Sequence, residues 1–284
     1  MPTDTTLHLS DALPLTCTRE GTCCHGAMIR ITPWELAFLA EGVGMTPRRF
    51  RDRHTADGGT LLRTDGPEDN RGRHACSLYR DGVGCTQHAN RPLACRLFPL
   101  GRRRNGGIPE YHHPGRRVGC VDLCPEVTAL PQLSVAEYLR DQQLVRGEQA
   151  HDAYAQILAG LIATAGQMAS RSAHLVDLNR VDSALAARAE LSAEARARAL
   201  PTAWFDLLTV PELPVRTGDP LGFTDAHRLR LAQAIATGFA LDGSLGDAII
   251  VVATLALHLA PPLGTDPALV VRAFTLAART PAHA

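Results

Sequence analysis

The chain has 284 residues, with 29 arginines, no lysine and 29 acidic residues, so its net charge is zero. That length supports a sizeable core and two ordinary domains, and crosslinks are not needed merely to fold it. Residues 1–129 carry 17 Arg against 14 acids and the remainder 12 against 15, which excludes the basic patterning of a nucleic-acid binder.

The N-terminal stretch MPTDTTLHLSDALPL shows no basic leader, no apolar run of signal-peptide length and no cleavage site following one. The expectation is a cytoplasmic chain. Residues 1–128 are rich in Gly, Pro, Arg, His and Cys, and short apolar clusters such as MIRIT and CRLFPL are separated by turn signals such as RDGVG. This predicts a loop-rich fold organised around something other than a large core. One helix is expected inside it, capped by Thr32, with Pro33 at its first position, Glu35 at capping-box spacing and Gly42 at its end. A second, short amphipathic piece, TPRRFRDRH, opens with the same Thr-Pro signal.

From Leu130 the pattern changes. PQLSVAEYLRDQQLVRG places Ser134 and Glu137 at capping-box spacing and stops at a glycine, which predicts one surface helix. Further helices are expected near 148–169, 181–199, 202–209, 224–241, 245–260 and 266–279. The longest apolar run, Ala248 to Ala260, has the length of a buried helix and falls short of the roughly 18 residues that span a bilayer. His258 within it reads as a hydrogen-bonded core histidine, and Trp204 and Phe205 as packing residues. The expected fold class is mainly α. A loop-rich cysteine-cluster domain with short strands and one or two helices (1–128) precedes an α-helical bundle (129–284) whose role the sequence leaves open.

All eight cysteines, Cys17, Cys23, Cys24, Cys76, Cys85, Cys95, Cys120 and Cys124, lie in the first 124 residues. In a reducing compartment, clustered cysteines bind metal or do redox chemistry more often than they form disulfides. Their spacing is neither that of paired zinc-ribbon knuckles nor that of a Cys2His2 finger. Thiolates are soft ligands, and eight of them supply two four-thiolate sites, or one site and spares. In an extended backbone the adjacent side chains of Cys23 and Cys24 point in opposite directions, so the pair is expected to serve different metals or to contribute one ligand. His25, His88, His112 and His113 are available to complete a site, with His88 closest in sequence to the central cysteines. Each alone reads as a surface or supporting residue.

Three blocks together, CTREGTCCHGAMIRITPWELAFLAEGVGMTPRRF, CSLYRDGVGCTQHANRPLACRLFP and CPE, resemble the YkgJ-like cysteine-cluster family, a group of zinc- or iron-chelating domains named for a C-x2-C-x2-C-C motif. The resemblance covers residues 15–127. It implies metal binding through the cysteines, and it leaves the metal open. This chain departs from the motif at the second cysteine, where Glu20 stands, as a carboxylate ligand or as a lost one. Cys120 has no counterpart in the pattern and is a candidate replacement thiolate. The family block around Cys95 also contains Arg91, Pro92 and Arg96. Arginine beside thiolates tunes a cluster, and the plainer alternative is that Arg96 pairs with a surface carboxylate.

The thiolate-rich donor set and the Cys-Pro ending favour an iron–sulfur cluster of the 4Fe–4S type, with zinc as the alternative. Three functions follow. The first is a metal-binding protein whose helical half contacts a protein partner or protein substrate. The second is a cluster-dependent modifying enzyme, either a protein methyltransferase, as in relatives with a similar cysteine cluster, or a redox enzyme. The third is a purely structural zinc domain. No nucleotide fingerprint is present, since GVGMT and DGVGC lack the flanking strand and helix, and no catalytic nucleophile stands apart from the cluster. Whether the chain is an enzyme is left open by its sequence.

Overall fold

Four helices open with a capping side chain followed by proline: Thr32–Pro33, Thr46–Pro47, Asp219–Pro220 and Asp266–Pro267. In each, the cap oxygen accepts from a first-turn N–H and the proline occupies a position where no donor is needed. The computed structural model describes residues 5–13, 15–16, 21–105, 108–113, 124, 126, 129–213, 216–238 and 243–280.

In chain order, β1 (Thr5–Leu7) and β2 (Ala12–Leu13) precede α1 (Pro33–Gly42) and α2 (Pro47–His54). The short strands β3 (Thr55–Ala56), β4 (Leu61–Leu62), β5 (Tyr79–Arg80) and β6 (Gly84–Cys85) lead to α3 (Leu93–Leu97). Next come β7 (Gly101–Asn105), β8 (Ile108–His113), β9 (Leu133–Ser134) and α4 (Val135–Asp141). The rest is helical: α5 (Val145–Arg171), α6 (Leu178–Glu190), α7 (Ala193–Arg198), α8 (Thr202–Thr209), α9 (Pro220–Thr237), α10 (Leu245–Leu259) and α11 (Pro267–Arg279). The fold is mainly α, with small sheets confined to the N-terminal part.

The chain forms two compact units, each discontinuous in sequence. The cysteine unit is Met1–Ile29 with Leu62–Glu148, and the helical unit is Arg30–Leu61 with Gln149–Ala284. This partition differs from a division at residue 128. Trp34 and Ala37 of α1 belong to the helical core, and Trp34 Nε1 donates to Thr217 O at 2.8 Å. Arg48 and Arg51 of α2 both bind Asp206 of α8 at 2.7 Å. Conversely, Val135 and Tyr138 of α4 are buried with Leu93, Leu97 and Tyr111 of the cysteine unit.

Among the described residues, a small core cluster of the cysteine unit holds eight buried side chains. An antiparallel sheet of order β1-β8-β7 supplies Tyr111 to it, with Leu7 opposite Tyr111 and Gly101 opposite His112. Tyr111 donates to Glu148 Oε1 at 2.5 Å, and Arg102 lies 3.1 Å from the same oxygen. Burial and that hydrogen bond push the phenol up to about 12.

The helical unit packs around α10, of which Ile249, Val252, Leu255 and Ala256 are fully buried. The apolar stretch Leu245–Leu263 is long enough to cross a membrane by length and composition, yet 72% of its most apolar window is buried, as in a core helix. His258 is 1% exposed and its Nε2 donates to Gly58 O at 3.1 Å, so it is a hydrogen-bonded core histidine. Trp204 is fully buried, and Phe205 packs on the same core beneath the Arg51 guanidinium, 4.7 Å from its ring centre.

Three boundaries depart from the sequence expectation. The helix expected from Ser134 to Gly147 ends at Asp141, and a new helix starts at Val145, with Gln143 between them at φ 53°. The helix expected over 181–199 breaks at Ser192, which caps α7 through Ala195 N. The helix expected from 224 starts at Pro220, because Asp219 caps Gly222 N, and it stops at Gly238 in the left-handed region.

Candidate metal centre

Three separated stretches carry the cysteines of the centre. In the first, Gly21 turns the chain at φ 76°, and a Cβ there would lie 2.5 Å from Tyr79 Cε2, so a side chain is excluded twice over. The turn leads into a 3₁₀ helix, Thr22–Cys24, closed by Cys24 N donating to Gly21 O at 2.8 Å. His25 packs edge-on against Tyr79 at 4.9 Å and its Nδ1 lies 3.2 Å from Gly21 O.

The second stretch is tied to the first by main-chain hydrogen bonds. Cys76 N donates to Cys24 O at 2.9 Å, and Gly26 N donates to His74 O at 2.9 Å. The β5-β6 hairpin then sets Cys85 opposite Tyr79, with Gly82 and Gly84 at positive φ. The third stretch is α3, where Cys95 N donates to Pro92 O at 3.0 Å.

Five thiols of these stretches, Cys23, Cys24, Cys76, Cys85 and Cys95, interact electrostatically. Cys23 and Cys24 share a hydrogen bond that lowers Cys23, helped by the Arg91 charge, and raises Cys24, which burial and the charges of Cys23, Cys85 and Cys95 raise further. Burial raises Cys76 and Cys85, and Cys85 also acts on Cys76. Burial pushes Cys95 well up, with Cys76, Cys85 and Cys23 adding to it and Arg91 opposing. Burial and mutual repulsion thus favour the protonated form of Cys24, Cys76, Cys85 and Cys95, and the bond from Cys24 favours the thiolate of Cys23. Metal binding must expel those protons.

This corrects the expected geometry of the adjacent pair. The opposed directions of Cys23 and Cys24 assumed an extended backbone, whereas a 3₁₀ turn rotates successive side chains by a third of a turn. The two thiols consequently reach each other and can serve one metal group.

The remaining candidates stand as follows. Cys124 is buried within the cysteine unit. His88 opens the 3₁₀ turn His88–Asn90, and its carbonyl accepts from Arg91 Nε at 3.0 Å. Cys17, Glu20 and Cys120 lie outside the described residues. Among the described residues, no three of His, Cys, Asp and Glu close onto a single ion position. The chemistry of the donor set nevertheless fits a soft, thiophilic metal, because these donors are thiols within electrostatic reach of one another, and the Arg91 charge reaches Cys23, Cys85 and Cys95.

Arg96 interacts electrostatically with Cys95, and among the described residues its side-chain hydrogen bonds go to main-chain carbonyls rather than to a surface carboxylate. Its guanidinium donates to Arg91 O and Gln142 O, both at 2.8 Å, and to Ala89 O, so it clamps the turn before Cys95 to the end of α4. Burial lowers its pKa, and the nearby Arg91 lowers it further.

Residues 16–112 match the sequence model of the CxxCxxCC family, described as "Putative zinc- or iron-chelating domain". That match covers about a third of the chain and agrees with the family its cysteine blocks resemble. No curated protein matches the chain, and no solved structure does. The CxxCxxCC segment contains all five interacting cysteines, together with α1 and α2 of the helical unit. It ends before α4, which sequence reasoning had not connected with the cysteines. The only sequence signal for that element is the Ser134–Glu137 capping box.

Proposed function

We propose that the chain is a cytoplasmic metal-binding protein whose cysteine unit holds an iron–sulfur cluster of the 4Fe–4S type. The observation that carries this reading is the electrostatic coupling of Cys23, Cys24, Cys76, Cys85 and Cys95, drawn from three separated stretches, with the Arg91 charge reaching three of them. An all-thiol set suits a cluster held by thiolates, and a neighbouring guanidinium offsets the negative charge that such a set acquires when loaded. The bound group would supply one-electron chemistry or a rigid, metal-fixed scaffold. The chain's own residues hold it, bury Cys76, and balance its charge.

In this reading the helical unit is an accessory body that takes a protein partner or protein substrate. Support comes from a cavity of about 300 Å³ within that unit, whose apolar floor includes Leu207, Val210 and Ala234 and whose rim includes Arg48, Glu212 and Arg230.

Serine replacement tests the ligand set. In full-length protein purified without oxygen, Cys23→Ser, Cys24→Ser, Cys76→Ser, Cys85→Ser and Cys95→Ser are each made and their bound metal measured. At least four of the five should lose most of it. Retention of full metal by two or more of them would contradict the proposed site.

A further inference from the structure

Between Cys85 and Cys95 the chain must turn sharply, and Arg91 sits at the end of that turn, where its charge acts on Cys23, Cys85 and Cys95. A guanidinium is always charged, so its influence on the thiols depends only on where it is held. Hydrogen bonds to two described residues hold it. Nε donates to His88 O at 3.0 Å within the turn, and Nη2 donates to Gln142 Oε1 at 2.9 Å, 51 residues away.

Gln142 is itself fixed at both main-chain ends. It is the C-cap residue of α4, its N–H donates to Tyr138 O at 2.9 Å, and its carbonyl accepts from Arg96 Nη1 at 2.8 Å. Tyr138 in turn is buried and donates to Phe98 O, just beyond α3. The side-chain amide is thus presented to Arg91 from a backbone that cannot easily drift. All of these residues lie in the cysteine unit, yet α4 and Gln142 fall outside the matched segment 16–112.

We propose that Gln142 is a positioning residue for the metal centre, holding the Arg91 guanidinium near Cys23, Cys85 and Cys95 from a helix that the CxxCxxCC segment does not include. The inference rests on the reading of those cysteines as metal ligands. Metal-bound thiolates are negative, so a cation fixed nearby, as Arg91 is by His88 O and Gln142 Oε1, stabilises the loaded state. A guanidinium released from Gln142 swings toward water and loses part of that effect.

The test is zinc affinity of the reduced full chain, measured against a chromophoric chelator without oxygen, for the wild type, Arg91→Ala, Gln142→Met, Gln142→Glu and the double variant R91A/Q142M. Arg91→Ala should weaken binding by about tenfold or more, the scale of losses seen when residues supporting metal ligands are removed, and Gln142→Met, which leaves Arg91 in place, by a smaller but measurable factor. Gln142→Glu keeps the acceptor oxygen and should bind as the wild type does or more tightly. Because Gln142 acts through Arg91, the double variant should match Arg91→Ala within about twofold. Losses that multiply in the double variant would mean that α4 packing carries the effect, and would overturn the inference. So would Gln142→Met or Arg91→Ala binding like the wild type. A wild-type chain that takes up neither zinc nor iron would instead overturn the metal reading beneath it.

Discussion

Gly21 shows how closely single residues set the centre. Its φ of 76° and the 2.5 Å approach of Tyr79 to a notional Cβ leave room for glycine alone, and the turn it makes delivers Cys23 and Cys24. Gly21→Ala should therefore destabilise the metal-free cysteine unit by about 1–3 kcal/mol, the scale of a strained backbone with a displaced neighbour. Denaturant unfolding checks this, and a change within about 0.5 kcal/mol, typical of an ordinary surface substitution, would contradict it. At this scale the sequence was partly legible. The cysteine types and their clustering announced a soft-metal site, but the side-chain directions of Cys23 and Cys24 depend on a 3₁₀ turn that periodicity over two residues cannot reveal. The contacts of Arg96 were also hidden, because three main-chain carbonyl partners leave no trace in the sequence.

Helix starts were the most legible elements, since capping is local chemistry. Thr32 with Glu35 and Ser134 with Glu137 form reciprocal capping boxes as their spacing predicts, and Ser244 with Asp247 forms a third. Helix ends were less legible. Gly147 looked like a stop, but the break falls at Gln142 and Gly147 lies in the first turn of α5, where a Cβ would meet Leu93 Cβ at 3.2 Å. Packing against α3 keeps that position small, so it is a tertiary contact rather than a cap. Ser134→Ala should cost about 1 kcal/mol through loss of the α4 cap, and Ser134→Thr, which keeps a capping hydroxyl, considerably less. Thermal unfolding of the two variants distinguishes them. Equal losses would mean that the hydroxyl bond is not what fixes α4.

Over the whole molecule, the chain runs from the cysteine unit into the helical unit and back before it enters the long helical half. Composition reported a change near residue 128 because cysteine, glycine and proline thin out there. It could not report that α1 and α2 serve the helical core, since a Trp-containing apolar helix reads the same in either unit. The helical unit carries its own pH signature. His227 Nε2 donates to Leu207 O and Nδ1 accepts from the Tyr154 hydroxyl, each at 2.9 Å, while His258 Nδ1 is buried without a partner. Burial lowers both to about 4 from an ordinary 6.5. For His258 the nearby Arg196 adds to the shift, and the Gly58 bond and Glu194 oppose it.

A histidine whose folded pKa is depressed favours folding fully above its unfolded value, and that contribution is lost as pH falls through the folded one. Stability of the helical unit should thus decline between about pH 6.5 and pH 4, by roughly 1.4 kcal/mol per pH unit for each histidine within the window. Melting temperature across that range checks the slope, and His258→Gln should flatten it. A flat profile in the wild type would show that neither histidine is held neutral.

The central claim is that the clustered thiols hold an iron–sulfur group, and the most direct measurement is iron, zinc and acid-labile sulfide per chain in full-length protein purified without oxygen. The account predicts brown protein with iron and sulfide in equal amounts, about four of each per chain for a 4Fe–4S cluster. Colourless protein with one or two zinc ions and no sulfide, as tetrahedral thiolate sites would give, would contradict it.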